Sequence, residues 1–202
     1  ATALAEDRRA HPRDDLTTAL VAAEVDGEKL TSAEIASFFI LLAVAGNETT
    51  RNAISHGVLA LTRYPEQRQI WWNDFETHTS SAVEEIVRWA SPVVYMRRTA
   101  TRDVEVSGVT IPAGDKVTMW YASANRDEAV FPEPDAFDPR RVNAKLHTTF
   151  ATGPHVCLGM HLARLEAREA IMGLARRLPG LRPDPARPSH PHGLVFRKPP
   201  EV

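Results

Sequence analysis

One cysteine, Cys157, stands in a chain of 202 residues. No internal disulfide can form from it, so disulfide-stapled secreted folds are excluded and a reducing, cytoplasmic setting is expected. The C-x-x-C pairs that usually build closed structural zinc sites are missing too. No long hydrophobic run exists: "FFILLAVAG" at 38–46 is too short to span a bilayer, and no transmembrane segment is expected. Charge of one sign is not in excess, with 24 Lys and Arg against 26 Asp and Glu. That balance gives nucleic acid or an anionic membrane no general hold on the chain. There is no internal repeat, and low complexity is confined to "PDPARPSHPH" at 183–192. No signal-peptide pattern and no initiator Met precede "ATALAEDRRAHPRDD", which begins as though already inside a helix. A piece of a longer protein is the expectation.

What is present is ordinary globular composition, 43% hydrophobic and 25% charged. "LTTALVAAEV" at 16–25 reads as a short amphipathic segment and "DGEKL" at 26–30 as a turn. "TSAE" at 31–34 has capping-box form, with Thr31 and Glu34 exchanging backbone hydrogen bonds. An apolar-rich helix pattern then runs to Arg63 and stops at Pro65, a helix of roughly 50 Å at ~1.5 Å per residue. Ser81 with Glu84 offers a second capping box, opening a helix that ends before Pro92. Alternating residues from Val104 to Trp120, around Gly108 and "PAG", predict a small antiparallel hairpin. A Pro- and Asp-rich meander with buried aromatics follows at 125–141, and a helix from Leu158 to Arg177 is stopped by "LPG". The fold class is mainly α with a small antiparallel β part.

Cys157 sits at the mouth of that last helix, in "TTFATGPHVCLGMHLARLEAREA". Unpaired backbone N–H groups and the helix dipole favour a thiolate at such a place. Gly153 and Gly159 strip side chains from the loop and let a flat or bulky object approach its backbone. On these residues alone three readings stand: a small buried hydrophobe, a zinc site with His155 and His161, and a haem-thiolate ligand. A cysteine protease is least compatible, since its familiar local signatures are absent.

The long helix carries "AGNETT" at 45–50, which interrupts an apolar face with a glycine, an acid and two hydroxyls. Threonines bonding back to the preceding turn account for part of it. An acid beside a hydroxyl in a core helix is costly unless satisfied, and is also what a proton relay needs. Gly46 would leave room for a small ligand, and Thr49 could hydrogen-bond it. "EEIVR" places Glu85 and Arg88 one turn apart on one helix face, suited to a charge-assisted pair, although most such pairs are solvated surface.

Taken together, these residues resemble the cytochrome P-450 family of haem-thiolate monooxygenases. The family's oxygen-activating helix motif is similar to Ala45-Gly46-Asn47-Glu48-Thr49-Thr50, and its E-x-x-R to Glu85-Ile86-Val87-Arg88. The meander arginine corresponds to Arg141 in "FDPRR", with Arg140 the other candidate, and the cysteine loop to "FATGPHVCLG" at 150–159. Four motifs in family order run across nearly the whole chain.

The resemblance implies haem b as cofactor, with Cys157 the axial ligand to its iron. It implies that Phe150 packs near the sulfur, that Gly159 lies under the ring, and that His155 and Arg98 bind propionates. Glu48 and Thr49 would deliver protons for cleavage of dioxygen, with Ala45 and Gly46 beside the cofactor. Glu85, Arg88 and Arg141 would form a structural ion network. Candidate substrate contacts are Val93, Val94 and Met96, with Ile40 and again Ala45 and Gly46 on the long helix. Two departures matter. Ala151 stands where the family has glycine, and residues 1–202 match only the C-terminal portion of a single catalytic domain, its N-terminal half being absent. The wording of the motifs resembles soluble actinobacterial members acting on sterols and methyl-branched lipids. That implies an apolar small-molecule substrate, O2, and electrons from a ferredoxin and its NAD(P)H-dependent reductase. Arg164, Arg168, Arg176 and Arg177 could meet an acidic ferredoxin, or be a solvated face. The competing expectations are a non-catalytic, haem-poor fragment and, more weakly, a zinc-binding helical module.

Overall fold

The computed structural model describes residues 1–182 and Asp184, so the Pro/His-rich stretch at 183–192 lies, Asp184 apart, outside the described residues. Two compact units divide the chain between Glu48 and Thr49.

In the first unit, α1 (Thr2–Ala10) and α2 (Leu16–Ala22) are short helices, the second started by Asp15, whose side chain accepts from the Thr18 N–H. The predicted turn at 26–30 is instead a tiny hairpin, β1 (Glu24–Val25) against β2 (Glu28–Lys29). Its corner, Asp26 at φ 53° and Gly27 at φ 84°, is the left-handed pair that two-residue hairpins require. The Thr31–Glu34 capping box is present: Thr31 Oγ1 accepts from the Glu34 N–H at 3.2 Å, and Glu34 Oε2 accepts from the Thr31 N–H at 2.8 Å. It opens α3 (Ser32–Arg63), a 32-residue helix that continues into the second unit. Ala5, Val21 and Ile35 form a small core with Leu30 and Phe39 packed against it.

In the second unit Pro65 ends α3 and at once begins α4 (Pro65–Asn73), since its missing N–H is no loss at a first helical position. α5 (Phe75–Ala90) follows, with the Asp74 carboxylate accepting from the Thr77 N–H. The predicted cap at Ser81 is therefore mid-helix. Ser81 Oγ donates to the carbonyls of Pro139 and His78, and Glu84 is bonded elsewhere. Buried Ser91, at φ 40°, closes α5 before Pro92. The hairpin predicted from Val104 to Trp120 divides in two. β4 (Val104–Val106) pairs with β5 (Val109–Ile111), while β3 (Tyr95–Thr99) pairs antiparallel with β6 (Lys116–Trp120). A turn of helix, α6 (Tyr121–Ala124), leads into irregular chain, and α7 (Met160–Arg177) starts two residues later than predicted.

The core joins Ala60 and Leu61 of α3, Trp71 of α4, Ala82, Ile86 and Trp89 of α5, Phe137 of the meander and Ile171 of α7. Burying Ile86, Phe137 and Ile171 contributes roughly 1.5–3 kcal/mol each. Gly57 lets α3 approach α5, because a methyl group there would sit 3.1 Å from the Ile86 side chain.

Candidate haem-binding site

The inner end of α5 carries a buried ion network. Glu85 and Arg88 are both 0% exposed, and the guanidinium meets the carboxylate in a fork, Nε to Oε2 at 2.7 Å and Nη2 to Oε1 at 2.8 Å. Arg141 Nε donates to Oε1 at 3.0 Å, as does the Asp138 N–H at 3.1 Å. Arg140 instead turns outward onto Asp138. The remaining donors bind meander carbonyls: Arg88 those of Asn125, Pro134 and Ala136, and Arg141 those of Pro132, Glu133 and Ala136. These carbonyls belong to irregular chain with no ladder of its own, so two arginines do the work of secondary structure.

Next to this network lies Asn125, wholly buried. Its Nδ2 donates to Ser91 Oγ at 2.9 Å and Thr149 Oγ1 at 2.7 Å, and its Oδ1 accepts from the Thr148 N–H at 2.7 Å. Thr149 Oγ1 donates in turn to the Val87 carbonyl at 3.2 Å. The segment entering the cysteine loop is thereby fastened to the end of α5. Glu84, one residue before the buried pair, makes a second fastening to His147 and Arg164. Burial works against its ionisation, yet hydrogen bonds from His147 and Arg164 and the guanidinium charge hold its carboxyl down at about 2.

The loop itself is closed by backbone bonds. Phe150 O accepts from the Cys157 N–H at 2.9 Å, Gly153 O from the Val156 N–H at 3.0 Å, and Thr148 O from the Ala151 N–H at 2.8 Å. A 3-10 turn, Gly153–His155, occupies the tip. Gly153, at φ 68°, takes the left-handed conformation that glycine adopts without a side-chain penalty. Ala151 sits at φ 55° with a side chain, the conformation that the missing glycine would adopt freely. Gly159 is different. Its φ is −89°, and a methyl group there would touch nothing within 4 Å, so neither backbone nor internal packing calls for glycine.

Cys157 is exposed, and so are Val156, Leu158, Leu162 and Leu165, with Leu158 at 75%. His155 is exposed too, and Arg98 on β3 donates to the Arg97 carbonyl with no ion pair among the described residues. An exposed thiol with exposed apolar neighbours along the chain, and a glycine at 159 that nothing internal calls for, fit a flat apolar macrocycle carrying an iron. The zinc alternative finds no such support: no cluster of three or more His, Cys, Asp or Glu side chains able to hold a metal occurs among the described residues.

The other candidates are distributed as follows. Ile40, Ala45, Gly46 and Glu48 lie on the first-unit part of α3, Ile40 at 66% exposure, and Thr49 opens the second unit. Glu48 and Thr49 are half-buried, and a methyl group on Gly46 would meet nothing within 4 Å. Val93 and Val94 are half-buried and Met96 is exposed. Phe150 stacks edge-on to His147 at 5.3 Å and lies under the Arg164 guanidinium at 4.6 Å. Arg164 is thus committed internally, which revises its reading as a free partner contact. Sequence reasoning missed Glu84, Asn125 and His147. Spacing could not separate the two acids of "EEIVR", since Glu84 stands four residues before Arg88 and Glu85 three, and both separations suit a pair on one helix face.

An exposed cysteine in a backbone-closed loop and a buried Glu–Arg–Arg network in a mainly helical fold agree with the resemblance to haem-thiolate proteins. The cytochrome P-450 family model matches residues 77–193, and the chain belongs to that family. It is 64% identical over 180 residues to the methyl-branched lipid omega-hydroxylase of Mycobacterium tuberculosis (strain ATCC 25618 / H37Rv), covering 89% of this chain and 42% of that protein. The steroid C26-monooxygenase of Rhodococcus jostii (strain RHA1) is 45% identical over 179 residues, covering 88% of this chain and 37% of the relative. A Mycobacterium marinum cytochrome P-450 solved in complex with pseudoionone superposes with a TM-score of 0.91 at 46% identity, over 98% of this chain and 48% of that one. The chain therefore spans less than half the length of the relatives it matches.

Proposed function

We propose that this chain forms the haem-thiolate portion of a monooxygenase that hydroxylates an apolar substrate of the lipid or sterol class. The observation that carries this reading is the presentation of Cys157: exposed, at the mouth of α7, its N–H held by the Phe150 carbonyl at 2.9 Å. The names of the relatives, a methyl-branched lipid hydroxylase and a steroid monooxygenase, support the substrate class. Haem, when bound, would supply dioxygen activation, which a thiolate ligand favours by donating electron density.

The chain's own residues have the following parts. The Cys157 thiolate ligates the iron, and the hydrogen bond to Phe150 fixes its backbone. His155 and Arg98 bind the propionates, and Gly159 admits the ring. Thr49 would hold a hydroxyl proton on Oγ1, and the Glu48 carboxyl would exchange protons with solvent beside it. Val93, Val94 and Met96 would contact apolar substrate. Electrons come from a ferredoxin and its NAD(P)H-dependent reductase, and exposed Arg168, Arg176 and Arg177 are the remaining basic contacts for an acidic partner. Among the described residues no helix is long and apolar enough to cross a membrane, which accords with a cytoplasmic enzyme.

The test is the carbon monoxide difference spectrum of the reduced full-length protein. A thiolate-haem band is expected in the wild type and its loss in Cys157→Ser. An intact band in the serine variant overturns the assignment.

A further inference from the structure

Glu84 holds both arms of the cysteine loop. Its Oε2 lies 3.0 Å from His147 Nε2, on the segment entering the loop, and its Oε1 accepts from Arg164 Nε at 2.6 Å, on the helix leaving it. A second Arg164 bond, Nη2 to Oε2 at 3.1 Å, makes the contact a fork. His147 Nδ1 accepts from the Thr149 N–H at 3.3 Å, which places the imidazole proton on Nε2, facing the carboxylate. The same Arg164 guanidinium covers the Phe150 ring, and Phe150 supplies the carbonyl that receives the Cys157 N–H. The side chains are largely sheltered, 2% exposed for His147, 16% for Glu84 and 30% for Arg164. Glu84 is also rooted on the turn of α5 that carries the fully buried Glu85–Arg88 pair, so the anchor point is rigid.

We propose that Glu84 is a positioning residue for the Cys157 sulfur: its carboxylate sets the separation of the two loop arms and, through Arg164 and Phe150, restrains the backbone that presents the ligand. Residues that hold a metal ligand from outside the coordination sphere govern its orientation as much as the ligand's own backbone does. The proposal rests on the haem-thiolate reading.

The experiment uses haem-loaded full-length protein as wild type, Glu84→Ala, Glu84→Gln and Thr79→Val. The last, on α5 like Glu84, removes a buried hydrogen bond that Thr79 Oγ1 accepts from Trp71 of α4, and Thr79 is no partner of Glu84, His147 or Arg164 among the described residues. Two readouts are taken well below each unfolding midpoint: the share of the reduced carbonyl spectrum at the displaced-thiolate position, and amide exchange in the 148–159 peptide. Glu84→Ala is expected to raise the displaced share several-fold and to speed exchange at Cys157 at least fivefold, with Glu84→Gln intermediate. Thr79→Val is expected to lower stability and move neither. A Glu84→Ala protein that loses stability but keeps wild-type spectrum and exchange overturns the proposal. Should that variant fail to fold, His147→Phe and Arg164→Lys each release one arm. A change in both readouts supports the proposal, and wild-type behaviour in both variants overturns it. A wild type without a thiolate band sinks the haem-thiolate reading instead, and the exchange data still decide whether Glu84 restrains the loop.

Discussion

The meander held against α5 and the cysteine loop are both chain that lacks regular hydrogen bonding, and they are stabilised in opposite ways. At Glu85, Arg88 and Arg141 two guanidinium groups share one buried carboxylate, and the arginines spend their spare donors on meander carbonyls. Around Cys157 the backbone closes on itself, while the thiol and its apolar neighbours face outward. The first region is complete within this chain. The second has its geometry supplied from within and its chemistry directed outward.

Breaking the inner region should have the largest effect. Arg88→Ala strips buried Glu85 of two of its four hydrogen bonds and one of its two guanidinium partners, and releases the Asn125 and Pro134 carbonyls, which should cost about 3–5 kcal/mol and lower the urea midpoint steeply. Unaltered stability in that variant would erase the contrast. The next largest effect is at the join between the regions. Glu84 has a folded pKa of about 2 against an ordinary 4.5, so its stabilisation is complete above about 4.5 and is lost as pH falls toward about 2. That loss amounts to roughly 3 kcal/mol. Urea titrations across this window should show wild type losing its advantage over Glu84→Gln as pH drops. A constant difference would show that the ionised carboxylate is not what stabilises the join.

Within the loop, Ala151→Gly removes a left-handed alanine at φ 55° and should raise stability by about 0.5–1 kcal/mol, the relief being partly offset by the freer unfolded chain. A fall in melting temperature would place the strain elsewhere. The smallest effect sharpens the comparison between two neighbours. Arg140→Ala should change stability by less than about 0.5 kcal/mol, since that side chain is half exposed and pairs only with Asp138. Arg141→Ala should exceed it several-fold in the same melts.

Legibility in the sequence followed the same division. Long-period features were plain: α3 with its Thr31–Glu34 box, the stop at Pro65, and α7 all come from side-chain spacing and caps. The Glu85–Arg88 pair was visible as spacing, but the burial that gives it meaning was not, because one helical turn of separation looks the same on a wet face. Ser81 and Glu84 mimicked a cap, and tertiary partners at Pro139, His147 and Arg164 took those side chains instead. Likewise β6 left its sequence neighbour for β3, a pairing that local alternation cannot encode. Asn125 had no periodic signature at all, since its partners come from α5 and the loop far along the chain.

The pairing of β3 with β6 has a further consequence. Successive strand residues face opposite sides, so Met96 and Arg98 share a face, roughly 6.6 Å apart along the strand. They stand opposite Met119 and Val117. An apolar side chain and a cation are thus placed on one ruler whose zero point is the end of α5 at Ser91. A single-residue insertion between Pro92 and Tyr95 would exchange Met96 and Arg98 for their neighbours Tyr95 and Arg97. Chain length in that short connector, more than the identity of any one residue in it, is what selection should guard.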